Sequence, residues 1–317
     1  VTVRKALGAL AWAGVAVMGA FTLVRLFGWE AGWPLRPLMA YTPYIALGVL
    51  APLALALALR NWRATAAALV VAATLAVLVV PRWLPGGGGE AAGPRLTILS
   101  MNLLAGSADL DTVAELAKRA DVLSVQELTP QADAVIAPLF PYRVALPEEQ
   151  VSGTGLYAKH PLTRLPALEP PGTSFRMPAA RLDVPGAPPV ELLAVHPIAP
   201  MPDYFATWVA ELEKLPAATP DGGIRILAGD FNATLDHALL RDLLGTGYRD
   251  AAAAIGRGYA WTWPNQPEKR GGVPLPPVTI DHVLIDERVA VEAIDVLELP
   301  GSDHRPVLAG LRLPRRA

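Results

Sequence analysis

Hydrophobic positions are spaced in two different ways along this chain. Over residues 1–84 they form long uncharged runs: residues 6–24, bracketed by Arg4, Lys5 and Arg25; residues 37–59, closed by Arg60 and Arg63; and residues 64–80, closed by Pro81 and Arg82. A helix of roughly 20 residues, rising about 1.5 Å per residue, covers the hydrocarbon core of a bilayer. Each run therefore predicts a transmembrane helix. A cleaved leader explains the first run alone, and two more follow it. Helices of a soluble core would show a recurring polar face, which none of the three runs has. Glycines 86–89 and the residues up to 94 hold no helix cheaply and read as a flexible tether.

From residue 95 the apolar runs shorten and are broken by Gly, Pro and Asp. Residues 95–100, 121–126, 155–159, 180–184, 190–195, 224–228, 279–285 and 305–311 predict strands. Residues 110–120, 204–215 and 236–244 predict helices, and the proline-rich stretches 185–189 and 264–277 predict loops. The expected organisation is a three-helix transmembrane module (1–84), a glycine-rich linker (85–94) and an α/β domain (95–317).

Composition sharpens this division. The chain is 52% hydrophobic and 18% charged, below the roughly 25% charge of soluble domains. Residues 1–94 carry seven Lys/Arg against two Asp/Glu, whereas residues 95–317 carry twenty against twenty-seven. The apolar excess thus belongs to the first part and the acidity to the second. Basic residues flank the runs evenly, with Arg4, Lys5, Arg60 and Arg63 on one side and Arg25, Arg36, Arg82 and Arg95 on the other. The short basic loop at residues 60–63, with Glu30, Trp29 and Trp33 in the first loop, points to an N-terminus inside. Three spans then put the α/β domain outside the cytoplasm. With no cysteine, the chain has no disulfide, thiolate zinc site or cysteine nucleophile.

Polar residues gather at the ends of the predicted strands. One strand runs into Asn102, the next into Gln126 and Glu127, and a third into His196. Another ends in Gly229, Asp230, Phe231 and Asn232; Asp281 and His282 follow Ile280; Ser302, Asp303 and His304 precede the last strand. Singly, such residues are turns or caps. Carboxylates gathered together repel unless they share a cation, and hard oxygen donors suit Mg²⁺ or Mn²⁺. No HExxH motif points to protease-type zinc.

In this order the set resembles the endonuclease/exonuclease/phosphatase superfamily, which includes DNase I-like nucleases, inositol polyphosphate phosphatases and neutral sphingomyelinases. The resemblance covers residues 95–317 and implies a four-layered α/β sandwich. It also implies roles. Glu127 matches the principal metal-binding glutamate, with Asn102 and Asp303 as further members of the metal site. Asp230 and Asn232 match the pair that orients the attacking water and contacts the scissile phosphate. His304 matches the catalytic histidine, Asp281 the carboxylate that holds its ring, and His196 a phosphate-contacting histidine. Trp261, Thr262 and Trp263 either wall the substrate or pack a loop; His237 and His282 read as structural or surface residues; Arg176 either faces phosphate or is solvated.

The substrate is set by other features. Nucleases carry basic stripes, and the acidic balance here makes nucleic acid a poor partner. A three-span anchor favours a substrate presented by the membrane. Together with the catalytic domain it resembles VanJ-type membrane proteins associated with glycopeptide (teicoplanin) resistance, which implies a Mg²⁺-dependent phosphatase acting on a lipid pyrophosphate such as undecaprenyl pyrophosphate. The alternatives are an extracytoplasmic nuclease, a phospholipase C- or sphingomyelinase-like phosphodiesterase, or a binding module with a decayed site. No partner protein is evident.

Overall fold

A computed structural model describes residues 2–266, 269–270 and 273–316. Three helices are long and apolar enough to cross a membrane: Thr2–Phe27, Leu35–Ala58 and Trp62–Trp83. The first is one helix, α1 (Thr2–Phe27), that carries its terminal arginines and lysine within its end turns. The second is built of α2 (Leu35–Leu38), a 3-10 turn, α3 (Thr42–Gly48) and α4 (Leu50–Ala58). It breaks at Val49 because Pro52 has no N–H to give the carbonyl of Gly48. The third is α5 (Trp62–Val79) with a closing 3-10 turn, and Asn61 caps it by accepting the N–H of Ala64. Ala11, Ala56 and Ala64 are fully buried where these helices meet. Small residues let helix backbones approach closely, which is how helices associate without a hydrophobic drive in lipid. Leu10, Val17, Leu50, Leu57, Val70 and Val77 point outward.

The connection that follows is not loose. Pro85 bridges to Ile255, Gly88 O accepts the N–H of Val291 (2.7 Å), and Gly93 N–H reaches Leu313 O (2.8 Å). A Cβ on Gly88 would lie 2.2 Å from Val291 O, so only glycine permits this approach. Glycine here serves close packing, which corrects the expectation of a flexible tether.

Beyond it lie two six-stranded sheets. The first runs β13 (Ala290–Val296), β14 (Val307–Arg312), β1 (Arg95–Asn102), β2 (Val122–Gln126), β4 (Thr154–Ala158), β3 (Tyr142–Leu146). The second runs β5 (Leu162–Arg164), β6 (Ala179–Leu182), β7 (Val190–Val195), β8 (Ile224–Asp230), β12 (Asp281–Asp286), β9 (Tyr248–Asp250). Among the described residues only β1–β2 and β7–β8 are parallel pairs. A short pair, β10 (Lys269–Arg270) and β11 (Val273–Pro274), lies in the expected loop 264–277, where residues 267, 268, 271 and 272 fall outside the described residues.

Alternation along each strand builds the layers. Leu96, Ile98, Leu192, Ala194, Ile226 and Ala228 fill the space between the sheets. Leu99, Met101 and Val125 face α6 (Leu110–Lys118) and α7 (Pro130–Ile136), while Leu193, Val195 and Leu227 pack with Trp208 of α8 (Phe205–Glu213) and Leu240 of α9 (Ala238–Leu244). Strands covered on both faces read as continuous apolar runs, which is why they were visible in the sequence. The result is the expected helix–sheet–sheet–helix sandwich. A fifth, shorter helix, α10 (Ala251–Ala254), starts at an Asp250 cap.

Candidate active site

The two parallel pairs end at the same edge, and β12 and the turn before β14 begin there. In register, Asn102 sits beside Gln126 and Asp281 beside Asp230. The sheets touch face to face, with Ser124 Oγ donating to Ala228 O at 2.8 Å. Residues far apart in sequence therefore converge. A Cβ on Gly229 would fall 2.0 Å from Val195 O, so the glycine before Asp230 is what lets β8 lie so close to β7.

All eight predicted site residues form one connected cluster. Asn102 Nδ2 lies 3.2 Å from Glu127 Oε1 and 3.3 Å from Asp230 Oδ2 and donates to both. Glu127 Oε2 accepts the N–H of Ala105 at 2.6 Å. Asp230 accepts the N–H of Asn232 (2.8 Å), whose amide donates to Pro197 O (3.0 Å). His304 Nδ1 pairs with Asp281 Oδ2 at 2.9 Å, leaving Nε2 3.6 Å from Asp230 Oδ2 and 3.9 Å from Asp303 Oδ1. His196 Nε2 stands 4.0 Å from Glu127 and 3.9 Å from Asp230, with its ring against Phe175. Glu127 (φ 55°) and Asn232 (φ 48°) hold left-handed backbone that side chains other than glycine seldom adopt, a strain that tends to gather at functional sites.

Burial governs the charges. Desolvation pushes Glu127 up, against hydrogen bonds from Asn102 and Ala105, and raises Asp230 to about 7 despite the nearby His304. Burial opposes charge on His304, yet Asp281 and Asp230 outweigh it and lift the ring to about 10, so it is protonated at neutral pH. His196, desolvated and facing cationic His304, falls to about 3 and is neutral. Neither Glu127 nor Asp230 has a Lys or Arg within ion-pair distance among the described residues, and Asp303 Oδ1 is buried without a hydrogen-bond partner. Undercompensated oxygens of this kind fit a divalent cation. Asp230, Asp281 and His304 each bring a potential ligand atom within 4.8 Å of the others, but with the His304 ring protonated and paired to Asp281 this trio serves the imidazolium, which leaves Glu127 and Asp303 to a cation. Asn102 turns its amide nitrogen to the carboxylates while its Oδ1 accepts the N–H of Leu104, so it steadies Glu127 and Asp230 as a donor.

Supporting residues complete the site. Ser302 Oγ donates to Asn102 O and accepts the N–H of His304, tying the final turn to β1. Thr262 Oγ1 accepts the N–H groups of Ile280 and Asp281, and Trp263 Nε1 donates to Asp303 Oδ2 at 3.0 Å. Thr262 and Trp263 thus brace the site through these hydrogen bonds. His282 is structural: buried, it pairs with Asp250 (2.9 Å) and contacts Ala233 O. Arg176 is exposed.

Contacts from the N-terminal helices, unforeseen in the sequence, reach the loop after Asn232. Buried Asp236 receives Arg25 Nε at the end of α1 (2.8 Å) and Arg82 Nη1 at the end of the third span (2.7 Å). Glu30, also buried, accepts the N–H of Ala238 on both oxygens (2.9 Å) at the start of α9. These residues resemble ordinary topology markers in the sequence. No local signal pairs them with positions some two hundred residues away.

A model of the Endonuclease/Exonuclease/phosphatase family matches residues 99–304. No curated protein sequence matches the chain. Among solved structures, D. rerio TDP2 complexed with single strand DNA product aligns with 69% of this chain and 99% of its own at 16% identity and TM-score 0.54. Truncated Caenorhabditis elegans TDP2 aligns with 69% and 98% at 16% identity and TM-score 0.50, and SmcL with 69% and 99% at 14% identity and TM-score 0.50. Identities this low speak for a shared fold alone.

Proposed function

The chain belongs to the endonuclease/exonuclease/phosphatase family of phosphoester-cleaving enzymes, and from that premise we propose that it is a membrane-bound, Mg²⁺- or Mn²⁺-dependent phosphatase of a lipid pyrophosphate. In this reading residues 1–84 form the membrane module, 95–317 the catalytic domain, and the substrate is undecaprenyl pyrophosphate or a relative at the outer face of the cytoplasmic membrane. The observation that supports it most is the ionic docking of Arg25, Arg82 and Glu30 onto the loop after Asn232, because it ties the ends of the apolar helices to the phosphate site. Such a tie keeps the site beside the apolar helices, where a membrane lipid is presented. Release of the terminal phosphate returns the lipid carrier as its monophosphate, and in this reading that recycling contributes to glycopeptide resistance.

Glu127 and Asp303 would hold the cation, with Asn102 steadying Glu127. When bound, the cation neutralises the phosphate and draws charge from the breaking P–O bond. Asp230, raised to about 7, accepts a proton from the attacking water, and Asn232 orients that water against the phosphorus. Cationic His304, fixed by Asp281, faces the negative charge that grows on the phosphate. Neutral His196 contacts a phosphate oxygen. One water is consumed, one P–O bond breaks, and inorganic phosphate leaves a lipid monophosphate.

The test offers the full-length protein with Mg²⁺ undecaprenyl pyrophosphate, supercoiled plasmid and sphingomyelin in parallel, with His304→Ala as control. Phosphate release from the lipid that needs His304 supports the reading. Plasmid nicking that needs His304, without phosphate release, sinks it. A reporter fused after Ala317 that is active only in the cytoplasm would contradict the outside placement.

A further inference from the structure

Between the second span and the α/β part lie two adjoining, largely apolar cavities that together form a track, with Arg82 and Asp236 in the wall of one. A cavity of about 250 Å³ includes Asn232 and His237 on one wall and Trp33, Pro37 and Ala40 on the other. A second, of about 220 Å³, shares Ala40 and Val278 with it and continues to Tyr44 and Leu47. Residues 37, 40, 44 and 47 fall on one side of the second span, roughly 15 Å from end to end at about 1.5 Å per residue, and Trp33 sits in the turn just before it. The track thus starts beside Asn232 and ends at exposed Leu47 inside the second span.

A second observation marks the Asn232 end. His237 is buried, and its Nδ1 accepts the N–H of Thr234 at 2.9 Å. Nδ1 also lies 3.2 Å from both Oγ1 and O of the same threonine, so Thr234 occupies that side of the ring, while Nε2 is buried and has no partner. Burial keeps the ring neutral, lowering it to about 4. An unpaired buried ring nitrogen is costly and suits a polar ligand group.

We propose that this track binds the hydrocarbon chain of a phosphate-bearing lipid, with its head at Asn232 and His237 and its chain along the second span between Trp33 and Leu47. The occupant is a lipid because one wall of the track belongs to an apolar span and the track runs from that span to the phosphate site. The proposal rests on the lipid reading above, but its test separates the two.

Full-length protein in lipid nanodiscs is photolysed with a farnesyl phosphonate whose chain carries a diazirine. Labelling within residues 33–47 or 275–280, suppressed by Ala40→Trp, supports the track; labelling confined to other segments overturns it. In parallel, kcat/KM is measured for dimethylallyl and farnesyl pyrophosphates. Ala40→Trp, and Leu275→Trp from the opposite wall, are expected to lower the farnesyl value at least tenfold and leave the dimethylallyl value within twofold. Equal effects on both substrates, or none, refute the track. Absence of pyrophosphate hydrolysis in the wild type defeats the proposed activity, while the labelling pattern still decides the binding site.

Discussion

Asp236→Asn keeps the side chain's shape and removes one negative charge from between two guanidinium groups. Arg25 is 3% exposed and Asp236 1%, so neither recovers hydration when the pair is broken; Arg82 is 13% exposed and recovers part of it. Removing one partner of a buried ion pair costs about 3–5 kcal/mol. Partial hydration of Arg82 and the intact Glu30–Ala238 contact favour the lower end, about 3 kcal/mol. For a domain of this size that is a fall in melting temperature of roughly 6–12 °C. The loop also carries Asn232, and a misplacement of about 1 Å there slows hydrolysis by up to about 10²-fold. Tryptophan-monitored melting in detergent, proteolysis at residues 85–94 and turnover would be compared for wild type, Arg25→Met, Asp236→Asn and the double variant. A coupling energy of at least about 1 kcal/mol is expected for the pair. Unchanged melting and a coupling near zero would refute the idea that these ion pairs dock the helices.

Four further outcomes are expected. His304→Ala lowers kcat by about 10²–10⁴-fold with the fold intact by circular dichroism, and Glu127→Ala lowers it by about as much while weakening metal affinity in titration calorimetry. Asp230 is raised to about 7, so the metal-free native state binds more protons here than the unfolded chain between its ordinary pKa and about 7. Apo stability therefore falls as pH rises through that window, and Mg²⁺ stabilises more at pH about 7.5 than at about 5.5, a difference that melts with and without chelator will register or exclude. Burial opposes the charge on His282, but Asp250 raises its pKa above the ordinary value, so its contribution is complete below that value and is lost as pH rises through the folded one. Its removal in His282→Gln costs about 3 kcal/mol in denaturant unfolding at pH about 6, and equal midpoints would disprove the pairing.

Comparing the sequence with the fold shows where legibility stops. Strands 95–100, 121–126, 190–195 and 224–228 stood out because both faces are buried, leaving apolar runs that no polar alternation interrupts. Edge strands escaped notice: β3 is half exposed, β5 has three residues, and β13 alternates with Glu292, Ala293 and Asp295 outward. The residues of the candidate site were legible because each sits at or near a strand end in a fixed order, a local signal. Thr262 and Ser302 were not recognised as supports because a hydroxyl that ties two backbones looks, in one dimension, like any turn residue.

By itself the sequence determined the apolar spans, the alternation that stacks sheets between helices, and the set of carboxylates, amides and histidines that bears the chemistry. Each depends on residue type and short-range spacing. Only the tertiary structure decided that the glycine segment is fastened, that Asp236 is held between Arg25 and Arg82, that His304 is cationic while His196 is neutral, and that the second span walls a track to Asn232. Those properties depend on distance and desolvation between groups remote in the chain, and neither quantity is written in the order of residues.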